Sequence, residues 1–277
     1  MTLAKGNQNQ GETHIMRLSE TEIKQAIVHP EKIVREEALR YFTDCYSQDA
    51  EVMSLAIQAF ETYGRGKAFL DIYGLARLAQ TEATIEWAIR ELHQEKDKVE
   101  DQNSYFSQLS HLLCNADLNF VSPRADEIVQ APGFDKDLVP GFRERLELAC
   151  WDAEQCWKEL ERICVEGLAQ SDDVDFDHAR RVVQALARQG QKDVDRILDL
   201  LGEEVTDFET DPMTWLEIFL VMLVGEMRLE RAAPLVVKKL HAYEAEFLWE
   251  ECVKALGKIG TDAATEALAE KWLQKRV

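Results

Sequence analysis

The sequence predicts an all-α fold, an α-solenoid of about seven antiparallel helix pairs, on three observations. Apolar residues recur at helical spacing from Ser19 almost to the C-terminus, and no convincing period-two strand interrupts them. Turn residues are sparse: 13 Gly and 6 Pro in 277 residues, where a β-sandwich or barrel needs a turn signal every ~8–12 positions. Self-comparison finds internal similarity at offsets that are multiples of about 35 residues, the length of two helices and two turns.

Each element has its own local warrant. Residues 1–17 are polar and read as a disordered leader, so the folded domain is placed at 18–277. Ser19 with Glu22 forms a capping box before Ile23, Ala26 and Ile27, and His29-Pro30 stops that helix. Ile33, Val34, Ala38, Leu39 and Phe42 make the next apolar stripe. Further helices are expected at 49–63, 66–79, 81–94, 102–115, 135–150, 153–169, 176–189, 192–202, 213–227, 229–242, 246–258 and 262–275. The segment 117–141 holds Pro123, Pro132 and Pro140, and is expected to be irregular with a short helix around Asp126–Gln130. Met213–Met227 is apolar nearly all round, as befits a helix packed on both sides.

The repeat is visible in two alignments. Val34–Arg40 matches Leu248–Lys254, and His178–Leu186 matches Leu248–Leu256, offsets of about 214 and about 70 residues, close to six and two units. Leu256-Gly257-Lys258-Ile259-Gly260-Thr261-Asp262 and the Ala-rich run after it resemble the linker and helix start of HEAT repeats, nearest the short bacterial, phycobilisome-lyase-like type. Val224–Met227 with Ala232–Leu235 looks like a weaker copy, and Val34–Leu39 resembles the inner helix of the same unit. The resemblance implies an α-α superhelix in which each pair buries its apolar stripe on its neighbours. Gly257 and Gly260 suit the turn between helices, and Thr261 or Asp262 suits the cap of the next one.

Charge narrows the function. Against 32 Lys+Arg stand 52 Asp+Glu, a net −20 with a pI near 4.7. Phosphate backbones and anionic membranes both need clustered basic residues, so neither nucleic acid nor membrane is expected as partner. The longest apolar run, Ile218–Val224, is far short of the roughly 20 residues that span a bilayer. Six cysteines at irregular spacing, with no Cys-x-x-Cys pair, read as reduced thiols of a cytoplasmic protein.

Enzymes of similar architecture supply tests. Deoxyhypusine hydroxylase, a HEAT-type di-iron enzyme, uses His-Glu dipeptides as ligands, and none of the six histidines here precedes Glu. Alkylpurine DNA glycosylases of the HEAT-like type need a basic concave face, which the net charge disfavours. Phycobilin lyases share the repeat type, but no chromophore site is recognisable. Asp173, Asp175 and Asp177 mimic the start of a calcium loop that then fails, with His178 where Gly belongs and Gln184 where Glu belongs. A solvated turn with Asp175 or Asp177 capping the following helix is the simpler reading. Cys150, Cys156, Cys164 and His178 lack the spacing of a zinc site.

The sequence therefore favours a non-catalytic protein-interaction module without cofactor: a scaffold, adaptor or inhibitor of a partner that is protein or peptide and basic. Residues 150–215 carry 17 Asp+Glu against 7 Lys+Arg, half of the net charge. The candidate binding residues are Asp172, Asp173, Asp175 and Asp177, together with Trp249, which stands where the matching repeat has Arg35. The alternatives are an enzyme on the same scaffold, such as a chromophore lyase, and a structural subunit of a homo-oligomer.

Overall fold

The computed structural model describes residues 18–68, 73–94, 102–169, 174–204, 213–242 and 246–274. Every regular element among them is helical. In chain order these are α1 (Glu20–Ala26), α2 (Lys32–Asp44), α3 (Ala50–Tyr63), α4 (Arg65–Ala68), α5 (Glu82–Leu92), α6 (Gln102–Asn115), α7 (Leu118–Val121) and α8 (Ala125–Gln130). They continue as α9 (Val139–Leu148), α10 (Ala153–Ala169), α11 (Phe176–Gln189), α12 (Val194–Gly202), α13 (Met213–Glu226), α14 (Ala233–Ala242), α15 (Glu246–Ile259) and α16 (Asp262–Gln274). Short 3-10 turns such as Tyr73–Arg77 and Glu230–Ala232 join some of them. The expected leader, 1–17, lies outside the described residues.

Local chemistry sets the ends. The Ser19 capping box is present: Glu22 N–H donates to Ser19 Oγ at 3.3 Å, and Ser19 N–H donates to Glu22 Oε2 at 2.7 Å. Asp49 and Asp175 cap α3 and α11, accepting from the backbone of Glu51 and His178, each at 2.9 Å. Thr261 caps α16 through Ala264 N–H at 3.2 Å. Gly260 takes the left-handed conformation (φ 68°) expected of the turn before it. Gly257 does not turn the chain; it lies in the last part of α15.

Two expected elements differ in detail. Of the helix predicted at 66–79, the described residues include the end of α4 and the 3-10 turn Tyr73–Arg77, and 69–72 lie outside them. Gly66 and Gly74 lie within that range, and glycine costs a helix about 1 kcal/mol per residue relative to alanine. The proline-rich segment resolves into α7, α8 and the start of α9. Pro123 and Pro140 sit in first turns, where a missing N–H costs nothing.

The apolar core consists of two clusters that meet on α9: Phe142 belongs to the first, which begins at Ile27, and Leu148 to the second, which reaches Ala264. In the second, α9 touches α11, α11 touches α13 and α13 touches α15, so these helices form a row. α10 lies on α11 and α13, α12 on α13, and α14 on α15 and α16. α13 is enclosed by α10, α11, α12 and α15, and Ile218–Gly225 is buried throughout, which its uniformly apolar sequence anticipates. α13 and α15 approach so closely that a Cβ on Gly225 would stand 2.8 Å from the Ala255 Cα.

Charged pairs tie helices within each cluster. Lys239 of α14 and Glu217 of α13 form a buried ion pair, and Lys239 Nζ also donates to the Glu203 carbonyl at 3.2 Å. Arg65 grips Glu91 with both nitrogens of its fork, and the Tyr105 hydroxyl donates to the same carboxylate at 2.8 Å. Arg35 is buried in α2. Its Nε donates to the Ala68 carbonyl at 3.1 Å, its Nη1 donates to the His29 and Pro30 carbonyls, and its guanidinium lies 3.9 Å from the centre of the Tyr63 ring.

A contact also joins the two clusters far apart in sequence. Arg228, just after α13, donates from Nη2 to the carbonyl of Tyr46, just after α2, at 2.8 Å, and from Nη1 to the carbonyl of Lys258. Tyr46 (φ 51°) and Arg228 (φ 49°) are the two non-glycine residues with positive φ among those described. The Tyr46 ring is flanked by Lys258 Nζ at 5.3 Å and the Arg77 guanidinium at 5.5 Å.

Candidate functional site

The row of helices and the Tyr46–Arg228 contact frame two adjoining cavities of about 520 and 590 Å³. Both are lined by Asn115, Gln184 and Glu226, so they form one continuous groove. Across the two, eight lining residues are Arg or Lys and three are Asp or Glu. The groove is therefore basic, on a chain whose net charge is −20.

Helical spacing explains why these residues face one way. On α11, Arg180, Arg181, Gln184 and Arg188 line the groove, while Ala179, Val182, Val183 and Leu186 are buried on the other side. On α15, Glu251, Lys254, Ala255 and Lys258 line it, and Cys252 and Leu256 are buried. α9 contributes Arg145 from the floor, and the turn after α13 contributes Arg228.

Some of these cations are matched by carboxylates. Arg181 pairs with Glu144 at 2.7 Å, Lys258 with Glu226 at 2.7 Å, and Lys254 with Glu251 at 2.7 Å. Others are not. The Arg145 Nη1 donates to the carbonyls of Cys114 and Ala116, at 2.9 and 2.8 Å, and its Nε faces Gln184 Oε1 at 3.3 Å. Arg228 likewise spends its donors on carbonyls. Arg188 is exposed and has no ion-pair partner among the described residues. Burial pulls the Arg145 guanidinium below its usual range, and the charge of Arg188 adds to that. Burial does the same at Arg228. Arginine stays charged regardless, so the groove holds positive charge that backbone dipoles only partly offset.

Behind the α11 stripe, His178 is held between two carboxylates, Glu144 Oε1 at its Nδ1 and Glu159 Oε1 at its Nε2, the latter at 2.7 Å. Burial disfavours its charge, but its hydrogen bonds to the Glu159 and Glu144 carboxylates, and their charges, outweigh burial and raise its pKa. Arg162 chiefly, with His178 second, holds Glu159 down to about 2 against the opposing effect of burial. No group of three or more His, Cys, Asp or Glu side chains among the described residues is arranged to hold a metal ion. No helix among them is long and apolar enough to cross a membrane.

The residues singled out in the sequence lie elsewhere. Asp172 and Asp173 are outside the described residues. Asp175 is the cap of α11 and Asp177 is exposed in its first turn, which matches the simpler reading of that acidic run. Trp249 is half-buried and packs on the second core cluster, and Arg35, its counterpart in the repeat, is buried. Among the described residues, no carboxylate of 150–215 lines the groove; that window contributes Arg180, Arg181 and Arg188. The signal that would have found the groove is the offset of about 70 residues. It superposes Arg181, Gln184, Ala185 and Arg188 on Glu251, Lys254, Ala255 and Lys258, and all eight line the cavities.

Of the cysteines, Cys156, Cys164 and Cys252 are buried, Cys114 is half-buried, and Cys45 and Cys150 are exposed; all six are free thiols. Burial raises Cys114, Cys164 and Cys252 to about 12 and Cys156 to about 11, far from a nucleophilic thiolate at neutral pH. No protein-family model matches the chain, and no curated protein or solved structure matches it either.

Proposed function

We propose that the chain is a non-catalytic protein-interaction module built as a HEAT-like solenoid, binding a peptide or protein partner and acting in the cytoplasm. The observation that carries this reading is the continuous groove, lined by polar and charged side chains from α9, α11, α13 and α15 and from the turns after α2 and α13. Three features support the solenoid: α11, α13 and α15 touch in succession, α12 and α14 flank them, and the offset of about 70 residues aligns the groove-facing stripes of α11 and α15. An enzyme needs converging acids, bases or ligands at a reacting centre. The groove instead offers donors spread along its length, which suits an extended ligand.

The test is capture from a lysate of the source organism on immobilised full-length chain, at low and high salt. Retention of a protein that then binds the purified chain saturably is the expected result. Failure to retain any protein at either salt would overturn the reading, as would a stoichiometric metal or chromophore in the purified protein.

A further inference from the structure

The groove is opposite in sign to the molecule that carries it, and this fixes the chemistry of its ligand. From the presence of Arg145, Arg188 and Arg228 without carboxylate partners along one continuous basic groove, we infer that it binds an acidic peptide segment, with carboxylate side chains seated against these guanidiniums. The inference rests on the interaction reading above and names the partner class for the same groove.

Four observations carry it. Arg188 stands exposed at one cavity with no ion-pair partner among the described residues. Arg145 and Arg228 are half-buried cations whose donors meet only neutral acceptors, so an arriving carboxylate gains a strong attraction. The buried Nε–H of Arg181, beside the same cavity, has no acceptor among the described residues. Of the three carboxylates that line the groove, Glu226 and Glu251 are already engaged by Lys258 and Lys254, and Asp117 accepts the Asn119 N–H at 2.9 Å as the cap of α7.

A nucleic acid fits less well. It too is anionic, but single strands gain much of their affinity by stacking bases on aromatic rings. Among the described residues, the one aromatic ring lining the groove is Tyr46, and Arg77 and Lys258 already flank it. A long polyanion would also run past the acidic surface outside the groove, whereas a short segment lies within about a Debye length of the basic lining.

The experiment is fluorescence anisotropy with a labelled oligoglutamate of about ten residues, which reaches about 33 Å when extended. It uses the full chain and three forms: wild type, Arg188→Glu and Lys158→Glu. Lys158 is exposed on α10, away from the groove, so both variants change the net charge equally. Wild type should bind, more weakly as salt is raised; Arg188→Glu should weaken binding about tenfold and Lys158→Glu by less than about twofold. Circular dichroism establishes that both variants are folded. No binding to wild type, equal loss in the two variants, or tighter binding of a single-stranded oligonucleotide than of oligoglutamate would each overturn the inference. If the lysate partner is captured equally by wild type and Arg188→Glu while oligoglutamate does not bind, the interaction module stands and its assignment to this groove falls.

Discussion

His178 shows how one side chain couples three helices to pH. Its ring, on α11, bridges Glu144 of α9 and Glu159 of α10, and Arg181 and Arg162 hold those carboxylates in turn. Because the folded protein raises the His178 pKa, folding favours its protonated form. That stabilisation is complete below the unfolded value and is lost as pH rises through the folded one. Glu159 acts in the opposite direction: lowered to about 2, it stabilises above the usual carboxylate range and is lost as pH falls towards that value. His178→Gln is therefore expected to cost about 1.5 kcal/mol at pH 5.5 and clearly less at pH 8.5, read from urea denaturation at each pH. A gap that widens with rising pH would contradict this linkage.

At the scale of elements, the buried pair between α13 and α14 sets a second expectation. Removing one partner, as in Glu217→Leu, leaves the Lys239 ammonium buried and uncompensated and should cost about 3–5 kcal/mol. Glu217→Leu with Lys239→Met should recover most of that loss, because the pair itself repays little beyond its own desolvation. Gly225→Ala tests the neighbouring interface: the new methyl would meet the Ala255 backbone at 2.8 Å, and about 1–3 kcal/mol of overpacking is expected from chemical denaturation. Elements were also the most legible scale in the sequence. The Ser19 capping box, Asp175 before α11 and the nearly all-apolar α13 each announce a boundary or a burial by local chemistry. The 3-10 turn Tyr73–Arg77 was less legible, because the glycine penalty at Gly74 competes with an apolar pattern that still reads as helical.

Across the whole molecule, the groove was hidden for a different reason. Net charge is a sum over all surfaces and says nothing of which face each charge occupies. The acidic window around α11 contributes Arg180, Arg181 and Arg188 to the groove, while Asp175 caps that helix and Asp177 is exposed in its first turn. The cap was legible from local chemistry; the facing of the arginines was not, because it depends on which side of α11 meets α13. The contact between Tyr46 and Arg228 was equally invisible, since it pairs residues 182 apart and gives no periodic signal. Arg228 tests it directly. Arg228→Ala forfeits two hydrogen bonds and keeps a strained positive φ, whereas Arg228→Gly forfeits the same bonds but relaxes the backbone. Glycine should thus be the milder replacement by about 1 kcal/mol in thermal or urea unfolding, with alanine reducing stability by about 2 kcal/mol.

That same tie changes how the chain comes apart. In an open array each hairpin leans only on its neighbours, and the terminal ones fray independently. Here a guanidinium near the far end holds a carbonyl near the beginning, so loosening α15 also releases the turn after α2. Amide exchange in α2 should therefore quicken when Arg228 is replaced, even though the substitution lies in another part of the chain.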